Sequence, residues 1–225
     1  MVVQLQLRQL DVPPGHRVLL HEVSWQEFEA ILEELGEHRG IRLAYCKGTL
    51  EIVAPLPEHE KAKVVIGDLL KALLDELDRN WESLGSTTFK RDEMEAGIEP
   101  DDCFYIQNHA LMIGKNRLDM TVDPPPDLAI EVDVTSKTRI SAYEALQVPE
   151  IWRYQNRKLQ IHVLREGKYA ESQTSPTFPD LAVIEGMSQF LEMSRTAGTS
   201  PALRAFRKWV REQNSRLDRQ RSEPS

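Results

Sequence analysis

Between Leu128 and Val134 the chain alternates: Leu128, Ile130, Val132 and Val134 are aliphatic, and Glu131 and Asp133 stand between them. Side chains of a strand point to opposite faces in turn. The stretch 124–136 therefore predicts a strand with one aliphatic face and one acidic face that also carries Asp127. Same-face neighbours lie roughly 6.5–7 Å apart, close enough for Glu131 and Asp133 to converge on one cation or one proton. Like charges at that spacing repel unless something compensates them. An ordinary half-buried strand with a solvated polar face has the same pattern, so the rest of the chain must decide.

Helical periodicity appears first at Ser24-Trp-Gln-Glu27, which has the form of a capping box. Phe28, Ile31, Leu32 and Leu35 follow at helical spacing, and Gly36 is placed to end the helix. Residues 41–46 and 49–53 alternate about Lys47-Gly48 and predict a hairpin; Pro55 and Pro57 then stop the sheet. From about residue 58 to 78, Ala62, Val65, Ile66, Leu69, Leu73 and Leu77 form the stripe of a long helix. Short strands are expected at 86–90 and 103–106, separated by an acidic loop with Glu93, Glu95, Gly97 and Glu99 that closes at Pro100. A polar excursion over 107–123 leads to the acidic strand, then to a helix from about 138 to 146. Residues 151–154 and 159–164 predict a strand pair turning near Asn156. Ser200-Pro201 begins a last helix carrying Leu203, Phe206 and Val210. This order predicts an α/β fold, a mixed sheet covered by helices.

A chain of 225 residues can bury one good core without division. Its 40% hydrophobic and 28% charged content excludes wholesale disorder. Cys46 and Cys103 are the only cysteines and fall in expected strands, so neither a disulfide framework nor a zinc cluster is built from them. The opening MVVQLQLRQL lacks the form of a secretory leader, and no apolar run reaches membrane-spanning length. A cytoplasmic location is expected. The net charge of −8 argues against a protein that holds nucleic acid by bulk electrostatics. Against that average, Arg204, Arg207, Lys208, Arg211, Arg216, Arg219 and Arg221 crowd the C-terminal helix. They form a solvated basic face or a phosphate-binding arm.

Three acidic elements stand in order: Glu58 and Glu60 at the start of the long helix, Asp101 after Pro100, and Glu131 with Asp133. Hard Mg²⁺ takes oxygen ligands, typically one or two protein carboxylates with water and substrate phosphate, so the order suits metal-dependent phosphodiester hydrolysis. His59, beside Glu60, orients a ligand or simply belongs to a polar helix start. Trp152 and Tyr154 stack bases or pack in the core, and Asp127 and Asp102 cap or solvate strand ends. No Gly-rich phosphate loop, zinc-binding His-Glu-x-x-His or nucleophilic serine elbow is present.

A set of motifs stands in one order along the chain: Trp25-Gln-Glu-Phe-Glu, Gly48-Thr-Leu-Glu-Ile-Val, Pro57-Glu-His-Glu60, Glu99-Pro-Asp101, Pro125-Pro-Asp-Leu-Ala-Ile-Glu-Val132, and Tyr143-Glu-Ala-Leu-Gln-Val-Pro-Glu-Ile-Trp-Arg-Tyr154. With them the chain resembles the Uma2 family of bacterial putative restriction endonucleases, a branch of the PD-(D/E)xK nuclease superfamily. The resemblance implies a restriction-endonuclease-like mixed β-sheet core flanked by helices, with an N-terminal helix-hairpin extension and a C-terminal helical tail. It divides the chain into an arm (1–22), the nuclease-like domain (23–190) and a basic tail (191–225).

What it implies for chemistry is Mg²⁺- or Mn²⁺-dependent hydrolysis of DNA, by a homodimer if both strands are cut. Asp101 matches the family's motif aspartate, Glu131 its second acid, and Glu60 a helix-borne acid that assists metal binding. Where the superfamily pattern has a lysine, this chain has Asp133; the position to which many relatives have moved that lysine is Arg139, and Lys137 is a further cation nearby. Arginine stays protonated, whereas lysine can work at a lowered pKa. The implied catalytic set is Asp101, Glu131, Asp133, Lys137 and Arg139, with Asp101, Glu131, Asp133 and Glu60 on the metal. His59 and Asp127 are secondary, and Arg204, Arg207, Lys208 and Arg211 are candidate DNA contacts. The alternative is a nuclease-fold module with a decayed site that binds nucleic acid or a protein without cleaving.

Overall fold

Reciprocal hydrogen bonds of the capping box start the first helix, α1 (Trp25–Leu35): Glu27 N–H donates to Ser24 Oγ at 3.2 Å and Ser24 N–H to Glu27 Oε2 at 2.7 Å. The structure is a computed structural model that describes residues 10–36, 40–133 and 140–222. In it the Lys47-Gly48 hairpin joins β2 (Arg42–Cys46) to β3 (Thr49–Val53), with φ of 44° and 77° at the two turn residues, as a right-twisted hairpin requires. A second two-residue turn at Asn156 and Arg157, φ 50° and 63°, joins β9 (Glu150–Gln155) to β10 (Lys158–Arg165).

Several elements escape the periodicity because they are short. The expected acidic loop contains a 3-10 turn (Asp92–Met94) and a strand, β6 (Ala96–Ile98), that pairs with β2 and with β5 (Phe89–Arg91). Within the N-terminal arm, β1 (Arg17–His21) lies along β3. The first sheet is thus antiparallel, in the order β1-β3-β2-β6-β5. The polar excursion holds a one-turn helix, α3 (His109–Met112), whose Met112 is buried.

The second sheet is mixed. Its order is β11-β10-β9-β8-β7-β4, where β4 is Glu82–Ser83, β7 Asp102–Tyr105, β8 Leu128–Asp133 and β11 Lys168–Ser172. Only β8 and β9 run parallel among these pairs, and the chain between them contains α4 (Ile140–Leu146). Val134, Lys137, Arg139 and the expected start of that helix lie outside the described residues.

Strand β8 separates two cores. Leu128, Ile130 and Val132 pack with α2 (Pro57–Glu76), α5 (Val183–Thr196) and α6 (Thr199–Ser222). Ala129, on its other face, packs with α4 and with Ala44, Cys46, Phe89, Ala96 and Ile98 of the first sheet. A third cluster closes α1 onto the far face of that sheet, where Phe28 stacks on Tyr45 with ring centroids 4.7 Å apart. The layers are therefore α1, first sheet, α4, second sheet, then α2, α5 and α6. This is the α+β arrangement that the resemblance implies, a mixed sheet flanked by helices with the helix-hairpin unit on one side.

The C-terminal helices belong to the core. Phe206 and Val210 of α6 are fully buried in the main cluster, and Arg207 and Arg211 reach Glu76 of α2 at 3.3 and 2.9 Å. Where α5 meets α6, Gly186 faces Trp209 so closely that a Cβ there would lie 2.3 Å from the indole. Gly186→Ala therefore forces the helices apart despite its better helix propensity, and a loss of about 1–3 kcal/mol is expected in a denaturant melt. Among the described residues no helix is long and apolar enough to cross a membrane.

Candidate active site

The register Asp102↔Ile130 between β7 and β8, carried back by one residue, sets Asp101 opposite Glu131. Alternation then places both on the face away from α2. Asp101 Oδ2 accepts the Val132 N–H at 2.7 Å and lies 3.0 Å from His59 Nε2. The first turn of α2 thus reaches the end of the sheet through His59. Glu131 accepts a hydrogen bond from the buried Tyr143 hydroxyl of α4. Asp133 is ion-paired with Arg153, whose own parallel partner across β8–β9 is Glu131.

Asp101, Glu131 and Asp133 line one cavity of about 50 Å³ between the two sheets, together with Glu51, Glu99, Arg42 and His59. At ~10–15 Å³ of such volume per water, it holds a few waters or a partly hydrated ion. Glu51 arrives from β3, between Leu50 and Ile52, which face α1. Glu99 is fixed by Leu43 N–H at 3.1 Å and Thr88 Oγ1 at 2.6 Å. Five carboxylates line the cavity with Arg42 and His59 among them, while Arg153 pairs with Asp133 and Arg17 lies 3.8 Å from Glu51.

Glu60 stands apart from these acids. It is 43% exposed and lies 3.5 Å from Arg42, 3.6 Å from Lys63 and 3.6 Å from His59 Nδ1. It is His59, its neighbour, that touches Asp101. Asp127 has a structural task, accepting the N–H groups of Ile106, Gln107 and Asn108 at 2.6, 2.9 and 3.4 Å. Asp102 turns to the helix face and accepts Ser83 Oγ at 2.8 Å. Trp152 is fully buried, and Tyr154 is partly so. On α6, Lys208 lies 3.8 Å from Glu212 while Arg207 and Arg211 engage α2, which leaves Arg204 as the candidate DNA contact without an ion pair among the described residues.

Reading the sequence missed Arg153, Arg42, Glu51 and the part played by Tyr143. The signal for two of them was available: Glu51 in Leu-Glu-Ile and Arg153 in Trp-Arg-Tyr each interrupt an apolar strand, as Glu131 does.

Proton affinities follow from this packing. Burial works against protonation of His59, but its hydrogen bond to Asp101 and the charges of Asp101 and Glu60 outweigh burial and raise its pKa above the ordinary value. Burial and the charge of Glu131 push the Tyr143 hydroxyl far up, so it remains a donor to that carboxylate. Because the folded state holds the His59 proton more tightly than the unfolded chain, its stabilisation is full below about pH 6.5 and fades as pH rises through the folded pKa. In EDTA, the difference in melting temperature between the wild type and His59→Gln is expected to be larger at acid pH than at alkaline pH.

For a divalent cation the donors suit Mg²⁺ in kind: two carboxylates on adjacent strands, with water and substrate oxygens to complete the shell. Among the described residues, however, no three His, Cys, Asp or Glu side chains are grouped so as to hold a metal ion.

A crystal structure of a putative nuclease belonging to DUF820 from Anabaena variabilis ATCC 29413 is similar to this chain at 14% sequence identity and a TM-score of 0.48, covering 75% of this chain and 99% of that one. No curated protein matches. The Uma2 family, described as putative restriction endonuclease, matches residues 25–197, which run from α1 through α5 and contain every acid of the cavity. The chain belongs to the Uma2 family of putative restriction endonucleases.

Proposed function

We propose that this chain is a metal-dependent endonuclease that hydrolyses DNA phosphodiester bonds at the cavity between the two sheets. The observation that carries the reading is the convergence of Asp101 and Glu131, from facing strands, on one small, acid-lined cavity. Asp101 and Glu131 would hold Mg²⁺ or Mn²⁺, which supplies a Lewis acid for the phosphate and lowers the pKa of the attacking water. Tyr143 and the Val132 N–H fix the two carboxylates, so little reorganisation is needed when phosphate arrives. Arg42, which lines the cavity with Nε 3.9 Å from Asp101, and Arg153, paired with Asp133, are the described cations that would offset charge developing on the phosphate. His59 is placed to accept or return a proton at Nε2, in competition with Asp101. Lys137 and Arg139 remain proposed contributors of positive charge, and Glu60, beside His59, a proposed outer ligand. Cutting both strands is met most simply by two copies about a two-fold axis.

One observation favours a second reading, in which the site binds without cleaving. Asp101, Glu131 and Asp133 each already have a specific protein contact, and no three-donor metal group is formed among the described residues. Calorimetric titration with Mg²⁺ and Mn²⁺, followed by cleavage assays on mixed DNA at low salt, separates the two. Metal binding with turnover supports the nuclease, whereas metal or DNA binding without turnover supports the binding module.

A further inference from the structure

Beside the acid cavity lies a larger one of about 390 Å³, and Asp133 lines both. Val65 of α2 and Leu191 of α5 give it apolar wall, Tyr154 adds an aromatic ring, and Lys61, Arg157 and Arg195 bring three positive charges. Glu58 and Asp133 bring two negative charges, the second already paired with Arg153. The balance is cationic in a chain whose net charge is −8. Lys61 and Arg157 are exposed and have no ion pair among the described residues; Arg195 lies 4.0 Å from Glu192. The volume falls within the range of about 300–1,000 Å³ typical of small-ligand pockets. Ring and apolar wall suit the base of a nucleotide and the unpaired cations its flanking phosphates, since a base stacks on an aromatic side chain and phosphates meet lysine and arginine.

We propose that this cavity receives one nucleotide of the substrate strand, turned out of the base stack, next to the acid cavity at which the strand is hydrolysed. The base lodges against Tyr154 and the apolar wall, and the flanking phosphates meet Lys61 and Arg157. The proposal rests on the reading of the acid cavity as the cleavage site. It implies a substrate class: a paired base must be unstacked to enter and an unpaired one need not be, so DNA carrying an unpaired nucleotide is favoured over an intact duplex.

Fluorescence anisotropy in EDTA at low salt tests this, with a labelled duplex and the same duplex carrying a single-nucleotide bulge. The wild type is expected to bind the bulged duplex about tenfold more tightly, within the span that stacking one base on an aromatic side chain provides. Tyr154→Ala should bring that ratio close to one. Because Tyr154 also packs against the main core, the doubly substituted Lys61→Ala/Arg157→Ala, at exposed positions, provides the second variant and should also collapse the ratio. Equal affinities in the wild type, or a ratio that survives both variants, overturns the proposal. So does dAMP alone binding more tightly than the bulged duplex, which would assign the cavity to a free nucleotide. Turnover plays no part in these measurements. A bulge preference in a protein that never cleaves refutes only the hydrolytic reading, and active cleavage without the preference refutes only this one.

Discussion

Asp101→Asn and Glu131→Gln are each expected to yield a folded protein that no longer cleaves DNA in Mg²⁺ or Mn²⁺. Both changes remove one negative charge at nearly constant volume and keep an acceptor oxygen, so the hydrogen bonds from Val132 N–H and Tyr143 can persist. What is lost is affinity for a divalent cation. Removing an outer-shell group of a metal site typically costs about 10–100-fold in affinity or activity, and loss of a directly binding carboxylate should exceed that. Folding should survive because those hydrogen bonds persist, although Asp101→Asn gives up the charge that faces His59 and Arg42. Calorimetry for the metal, a melting curve for the fold and a nicking assay for turnover read the three effects separately. Cleavage at the wild-type rate by either variant would remove the acid cavity from the mechanism.

Elements whose signal is local were legible in the sequence. The capping box of α1, the stripe of α2 and the two-residue turns at Lys47-Gly48 and Asn156 depend on neighbours a few positions away, and they occur within a residue or two of expectation. Strands β1, β4, β6 and β11 were not legible. Two or three residues establish no period in β4 and β6, and β1 pairs with a strand distant in sequence, whereas β11 closes a hairpin with β10 across Glu166-Gly167, both at positive φ, which is a local signal like the other two turns. Helix α5 differs, since Val183, Met187, Phe190 and Leu191 fall on one side of it and its signal is local.

The site divides in the same way. That Glu131 faces away from Leu128 and Ile130 follows from alternation alone. That Asp101 sits across from it depends on the β7–β8 register, which no local pattern encodes. The cation beside the acids shows what a one-dimensional motif leaves out. The motif directs attention along the strand, to Asp133 and on to Lys137 and Arg139, which lie outside the described residues, and it does not register the guanidinium that reaches Asp133 sideways from Arg153 on the parallel neighbour. A chain can therefore keep a cation beside its acids while departing from the linear pattern.

The basic C-terminal helix likewise changes meaning once placed. Truncation after Ser200 would remove Phe206 and Val210 from the main core as well as the arginines, so loss of DNA binding in a truncated protein would report unfolding. Charge reversal at Arg204, which is exposed, isolates the electrostatic contribution instead.

Ile130→Ala should destabilise the protein by about 2–5 kcal/mol in a urea or thermal melt, the range for truncating a fully buried aliphatic side chain. Ile130 has no exposed surface and packs between its own sheet and α2, next to Leu128, Val132 and Trp152 in one cluster. Its neighbour Glu131 lies on the opposite face, in the acid cavity. Adjacent residues should thus show opposite behaviour: Ile130→Ala costs stability while the acid cavity keeps its carboxylates, and Glu131→Gln costs metal-dependent cleavage while the fold holds. Below its melting temperature Ile130→Ala should still bind metal, with Kd near the wild-type value. A melt unchanged by Ile130→Ala would mean that β8 does not present this face to α2, and the pairing of Asp101 with Glu131, which depends on the same alternation, would fall with it.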